Sequence, residues 1–190
     1  APSFVTRFRI GTADLRTARA GRAGAIIFEI ARSEIAYTDQ RPAEYVAVLI
    51  AAALREGYNL PLFIQGDHCQ VNAKKYQADA RAEVEEVKRL IQEEVDAGFY
   101  NIDVDTSTLV DLAQPDLDAQ QCLNYQLAAR LTAFIRRHEP AGVAHGVDRA
   151  HPALVLDRGG DLVVVAARGL DVVVHPLDAG LLQLHGAVAR

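Results

Sequence analysis

The chain of 190 residues contains no methionine and no tryptophan, and only two cysteines, Cys69 and Cys122. Two lone cysteines give neither a disulfide framework nor a CxxC metal knuckle. No basic block occurs and the formal net charge is −5, which excludes nucleic-acid binding by bulk electrostatics. Half of the residues are hydrophobic, yet no window approaches about 18 uninterrupted apolar residues, so no membrane helix is expected. No charged-then-apolar leader opens the chain, and a reducing cytoplasm is the expected compartment. The length suffices for one domain with a sizeable core.

A second set of absences divides the chain. Residues 141–190 hold ten Val, nine Ala, eight Leu, seven Gly, five Asp, four His, four Arg, two Pro and one Gln, and nothing else. Ordinary usage would place Lys, Glu, Ser, Thr, Ile and aromatics in any such stretch. Every residue type present there has a codon beginning with G or C, as GC-rich DNA read out of frame would give. The expected organisation is an ordinary folded part, residues 1–143, followed by a compositionally biased tail, residues 144–190.

Before Pro140 the pattern is strand, loop, helix, three times. Strand candidates are 25–30, a short β-rich apolar run, 62–65, opened by Pro61, and 100–104. The first helix is expected from Pro42 to Gly57, with Tyr45, Val46, Leu49, Ile50 and Leu54 inward. The second runs from about Asp79 to Ala97, with Val84, Val87, Leu90, Ile91 and Val95 as its stripe and its glutamates mainly outside. Glu85 and Arg89 on it are set for an i,i+4 pair. Gly98 terminates it. The third spans Pro115 to His138, with Leu123, Leu127, Leu131 and Phe134 inward, and Pro140 forbids continuation. A fourth strand should begin near Val143, and the tail's 162–165 and 171–174 runs could add further strands.

Alternating strands and helices imply an α/β fold with a parallel sheet and right-handed crossovers. No GxGxxG follows any strand, which disfavours a dinucleotide fold and favours a (β/α)₈ TIM barrel. A full barrel needs eight units and about 250 residues. Three to four units are legible, so a partial barrel is expected, with uncovered strand edges that promote aggregation or oligomerisation.

In such folds ligands bind at the carboxyl ends of the strands. Glu29, Asp67 and Asp105 fall at expected strand ends, each 38 residues apart, which predicts three carboxylates at similar height. Ser33 follows the first, His68 the second, and Thr106 and Ser107 the third. Alternation puts Asp103 on the same face as Asp105. Clustered acids require a cation or proton sharing, and His68 supplies an imidazole donor. A bonded strand-end acid offers another reading, with Asp105 capping the Thr106-Ser107-Thr108 turn. A Schiff-base mechanism would need a strand-end lysine. The only lysines are Lys74, Lys75 and Lys88, read as a solvated loop pair and a helix residue.

The segment Pro61-Leu-Phe-Ile-Gln-Gly-Asp-His68 resembles the strand-end Asp-His motif of class II, metal-dependent ketose-bisphosphate aldolases. Phe99-Tyr-Asn-Ile-Asp-Val-Asp-Thr-Ser107 looks like the family's later strand ending in Asp-x-Ser. Gly66-Asp67-His68 with Asn72, and Phe28-Glu29-Ile30-Ala31-Arg32-Ser33, are similar to the tagatose-bisphosphate-aldolase-like branch. The resemblance covers about residues 24–143.

That resemblance implies a lyase of carbohydrate metabolism that cleaves or forms a C–C bond in a phosphorylated ketose. Asp67 matches the catalytic acid/base. His68 matches a ligand of Zn2+ or another divalent metal, which would polarise the substrate ketone. Asp105 and Ser107 would hold a cation or substrate hydroxyls, and Glu29 a substrate contact. Gln65 and Asn72 are candidate supporting groups. The complete protein would be a homo-oligomer with a small phosphorylated sugar as partner. The family's further histidine ligands and phosphate loops have no counterpart here. The surroundings of His145, His151, His175 and His185 match no family motif. One histidine gives half a zinc site, so the chain alone is expected to bind zinc poorly and to be inactive. A non-catalytic sugar-phosphate-binding accessory subunit, or a truncated product without function, are the other expectations.

Overall fold

The computed structural model describes residues 2–142 and the backbone of three later strands, 146–149, 154–156 and 163–165. The order is α1 (Pro2–Ala20), β1 (Ile26–Ala31), α2 (Arg32–Thr38), α3 (Pro42–Glu56), β2 (Leu62–Asp67), α4 (Ala73–Ala78), α5 (Ala80–Asp96), β3 (Asn101–Val104), a 3₁₀ turn (Ser107–Leu109), α6 (Leu117–His138), β4 (Gly146–Arg149), β5 (Leu154–Leu156) and β6 (Val163–Val165). Strands β1 to β4 form one parallel sheet in sequential order. The fold is α/β. Among the described residues the sheet is open, with β1 and β4 at its edges, and is not a closed barrel.

Strand alternation sorts the sheet into two faces. Ile30, Ile64, Ile102 and Val104 are buried against the helices. They share one core with Tyr45 and Leu49 of α3, Val87, Leu90, Ile91 and Val95 of α5, and Leu127, Leu131 and Ile135 of α6. The opposite face carries Ile27, 59% exposed, and the exposed Glu29. Parallel sheets are normally covered on both faces. Here one face is helix-covered and the other presents its polar residues.

The expected helices form, and their ends follow local chemistry. Pro42 opens α3, and Gly57, at φ 59, closes it by donating its N–H to Ala53 and Leu54. Asp79 and Asp116 cap α5 and α6 through bonds from Ala82 N and Ala119 N. Two short helices, α2 and α4, and the long α1 had no sequence expectation. Helix α1 packs on α3 through Leu15 and Thr12, both buried. A Cβ on its Gly11 would come within 2.9 Å of Leu49 Cδ2, so a glycine permits this approach. The Arg16 guanidinium clasps Glu56 with bonds of 3.0 and 2.9 Å.

Several inward assignments are corrected. On α3 the buried stripe is Tyr45, Val48, Leu49 and Ala52, while Ile50 and Leu54 are exposed. Leu123 on α6 is exposed. On α5, Glu83 and Glu94 are fully buried. Glu85 pairs with Lys88 at 2.9 Å, one turn position short of Arg89. Lys74 and Lys75 lie on α4, not in a loop, and Lys75 pairs with Glu86.

The fourth strand begins at Gly146, three residues beyond the expected start. Of the tail's runs, the first contributes Val163–Val165, which pairs antiparallel with Leu154–Leu156 as a separate two-stranded sheet. Residues 171–174 and the four tail histidines lie outside the described residues, as does most of the tail. No helix among the described residues is long and apolar enough to cross a membrane.

Candidate functional site

The carboxyl ends of β1 to β3 carry the expected acids, but in a different register. Glu29 pairs with Gln65, and Gln65 with Asn101, so the sheet repeats every 36 residues rather than 38. Asp67 lies beside Ala31. Glu29 is therefore two residues short of the end of β1, and Asp105 follows the last residue of β3. The three carboxylates do not share one row. Glu29 joins a polar ladder instead: Gln65 Nε2 donates to its Oε2 at 2.9 Å, and Asn101 Nδ2 donates to Gln65 Oε1 at 3.3 Å.

The group that does assemble is Asp67, His68, Asp103 and Asp105. His68 Nδ1 lies 3.2 Å from Asp105 Oδ2 and 3.7 Å from Asp103 Oδ2, and its Nε2 is 4.0 Å from Asp67 Oδ1. His68 adopts φ 45, a left-handed conformation that few non-glycine residues occupy. Two bonds hold it there. His68 N donates to Asp103 Oδ2 at 3.1 Å, and Gln70 N donates to His68 O at 2.5 Å. Beyond the strand ends the backbone pairing continues, with Cys69 N and Val71 N donating to Asp103 O and Asp105 O at 2.9 Å each.

Burial and bonding set the charges. The bond from His68 to Asp105 pushes the imidazole up from its ordinary value, with the neighbouring carboxylates adding to it. Burial pushes Asp103 up, and its Oδ1 has no hydrogen-bond partner. Burial also acts upward on Asp105, but bonds from Ser107, Gln70 and His68 outweigh it and hold that carboxyl below the usual range. Ser107 supplies both N–H (3.0 Å) and Oγ–H (2.6 Å) to Asp105 Oδ1, the turn-capping arrangement anticipated for this acid. Thr106 Oγ1 turns away to Asn124, and Thr108 Oγ1 to Val71 O. One oxygen of Asp67, one of Asp103 and a ring nitrogen of His68 all lie within 4.8 Å of one another. Two carboxylates and an imidazole are a donor set that a divalent cation can use.

Beside this group is a cavity of about 210 Å³ lined by Arg32, Ser33, His68, Gln70, Asn72 and Lys75, among others. Asn72 faces its own helix, since its Oδ1 accepts Lys75 N and caps α4. Sequence reasoning missed three contributors. Arg32 forms a buried pair with Glu83, at 2.5 and 3.2 Å, and donates to Gln70 O at 2.6 Å. Gln70 Nε2 donates to Asp105 Oδ2 at 2.6 Å. Beneath β2, Cys69 Sγ donates to Glu94 Oε2 at 3.1 Å. A Cβ at Gly66 would sit 2.6 Å from that same oxygen. Gly66 was the available signal, because a glycine inside a strand marks a close approach.

No family model matches the chain, and no curated protein matches it significantly. Among solved structures it is similar to a probable tagatose 6 phosphate kinase from Sinorhizobium meliloti 1021, with a TM-score of 0.54 and 20% sequence identity. The match covers 77% of this chain and 38% of that one, so the chain spans well under half the length of its structural neighbour. At that identity the likeness is one of fold.

Proposed function

We propose that this chain carries part of a (β/α)₈ barrel, three to four of its βα units, and half the active site of a metal-dependent aldolase-like lyase acting on a phosphorylated ketose. The observation that carries the reading is the Asp67-His68 pair at the carboxyl end of β2, with Asp103 and Asp105 of the adjacent strand within reach of the same imidazole. Three further features support it. The sheet is parallel and sequentially ordered, as an arc of a barrel is. Its polar face is the one a barrel would enclose. The structural neighbour, a probable tagatose 6 phosphate kinase, is itself described as acting on a sugar phosphate.

In this reading His68 and Asp103 would hold Zn2+ or a similar divalent ion. The bound ion would polarise the substrate ketone. Asp67, whose side chain is 31% exposed, takes and returns the proton of the hydroxyl at the cleaved bond. The Glu29–Gln65–Asn101 ladder lies one row below Asp67 and Asp103 and would line the floor of this site. Ser107 holds Asp105, and Asp105 holds His68. A single imidazole leaves the ion under-coordinated, which makes weak binding and no turnover the expected behaviour of the chain alone.

Cobalt(II) titration of the full chain, followed by visible absorption, tests the metal half of the proposal. Weak uptake that disappears in His68→Gln is the expected result, and uptake that His68→Gln leaves unchanged sinks it. The chemical half is read by coupling triose phosphate release from fructose or tagatose bisphosphate to NADH oxidation. Turnover that survives intact in Asp67→Asn would overturn the role given to Asp67.

A further inference from the structure

The resemblance assigned Asp105 to a cation or to substrate hydroxyls, but its geometry leaves no room for either. The side chain is 2% exposed. Oδ1 accepts Ser107 N–H and Oγ–H, and Oδ2 accepts Gln70 Nε2–H at 2.6 Å and faces His68 Nδ1 at 3.2 Å. A carboxylate has about four lone-pair sites, and all four are taken. An ionised carboxylate only accepts, so the His68 nitrogen facing it must carry the proton. The other ring nitrogen, Nε2, is 4.0 Å from Asp67 Oδ1, beyond hydrogen-bond range, on a side chain that is 56% exposed.

Gln70 anchors this arrangement twice. Its amide braces Asp105, and its carbonyl accepts Arg32 Nη1 at 2.6 Å. Arg32 in turn is fixed by the buried Glu83. The orientation of the imidazole is thereby tied to α5, on the far side of the sheet. A metal-bound histidine characteristically donates its second N–H to a carboxylate, which fixes ring and tautomer.

We propose that Asp105, braced by Gln70, is a positioning residue that locks His68 in the Nδ1–H tautomer and leaves Nε2 as the atom open to a ligand. The zinc consequence rests on the metal reading given above, whereas the tautomer does not.

The test uses the full chain labelled with ¹⁵N-histidine, at a pH alkaline enough to leave the imidazole neutral. Long-range ¹H–¹⁵N correlation spectra report the tautomer, and His68 is assigned by its loss in His68→Gln. The parent should show Nδ1–H, and Nε2–H in the parent overturns the proposal outright. In Asp105→Asn the backbone N–H of Ser107 cannot turn, so the new carbonyl must face it and the new amide must face His68. Nδ1 then has to accept, and the tautomer should switch to Nε2–H. An unswitched tautomer in folded Asp105→Asn counts against the lock. Ser107→Ala, which removes a donor only from the far oxygen, should keep Nδ1–H.

Zinc competition with a chromophoric chelator gives the second readout. Asp105→Asn should weaken zinc about 10- to 100-fold, the usual cost of losing such a partner. If Asp105→Asn does not fold, the exposed Gln70→Ala replaces it, with weaker zinc binding at an unchanged melting temperature expected. Equal zinc affinity in folded Gln70→Ala and the parent refutes the bracing role. A parent that shows Nδ1–H but takes up no zinc refutes the metal reading and leaves the positioning intact.

Discussion

Glu94 sits in the last turn of α5 with its side chain fully buried beneath β2. It accepts one bond from Cys69 Sγ, and its Oε1 has no partner. Burial raises its pKa from an ordinary 4.5 to about 8, and the Cys69 bond and the Arg41 charge only partly oppose this. The folded protein therefore keeps a proton over a range in which the unfolded chain has lost it. Where the native state binds more protons, stability falls as pH rises. The contribution is fully present below about pH 4.5 and lost by about pH 8. At about 1.4 kcal/mol per unit over that span, the group accounts for about 5 kcal/mol. Whole domains are stable by only about 5–15 kcal/mol, so this single carboxyl should dominate the pH profile.

Glu94→Gln isolates the effect. The amide copies the shape of the protonated acid, can accept from Cys69, and cannot ionise. Urea titrations at about pH 5 and about pH 8 should show the parent losing about 4 kcal/mol that the variant does not lose. The bond from Asp105 raises the pKa of His68, so His68 also withdraws stability as pH rises through its folded value. That loss is common to both proteins and cancels in the difference. At the alkaline end Glu94→Gln should be the more stable protein. Parallel pH profiles, or a variant less stable than the parent near pH 8, would refute the reasoning.

The same packing makes Gly66→Ala costly. Its Cβ would meet the buried Glu94 carboxyl oxygen at 2.6 Å, and a loss of about 1–3 kcal/mol in urea titrations is expected, shrinking when Glu94 is also cut to Ala. Arg32→Met leaves the buried Glu83 carboxylate with only the Asn72 N–H at 2.7 Å and should cost about 3–5 kcal/mol, while Arg32→Met with Glu83→Leu should recover part of it. A double variant no better than the single would contradict that. Asp79→Ala removes the cap bond to Ala82 N and should cost about 1 kcal/mol, read by thermal melting.

The sequence carried the order of elements well because strand runs and helix ends are local signals. Pro42, Gly57, Asp79 and Gly98 act within one turn of their own position, and each ends or starts an element as expected. Which face of a helix turns inward is not local. On α3 the large residues Ile50 and Leu54 suggested the stripe, but α1 takes the adjoining face through Ala52, and the stripe rotates to Val48 and Ala52. Helix α1 itself has too little apolar periodicity to stand out and is held by contacts made only once α3 exists.

The candidate site divides along the same line. Asp67, His68 and Asp105 were legible because strand ends are where such folds gather chemistry. Their relative heights were not, since the hydrogen-bond register advances by 36 at each step and an acid 38 residues on lands two residues further along its strand. Glu29 was placed by the count and is displaced by the register. The supporting groups were the least visible. Gln70 looks like any loop glutamine until its amide is found against Asp105. Glu83 and Glu94 look like the solvated face of a charged helix, because acids are rarely fully buried. What buries Glu94 is a missing atom on another element, the Cβ of Gly66. The residue after Gly66 is Asp67, and the Glu94 partner Cys69 follows His68. The acid and the imidazole thus stand where β2 ends, on a segment whose underside rests on a buried carboxyl that burial keeps protonated below about pH 8. A sequence search for such a site should weigh a strand glycine next to the reactive pair as heavily as the pair itself.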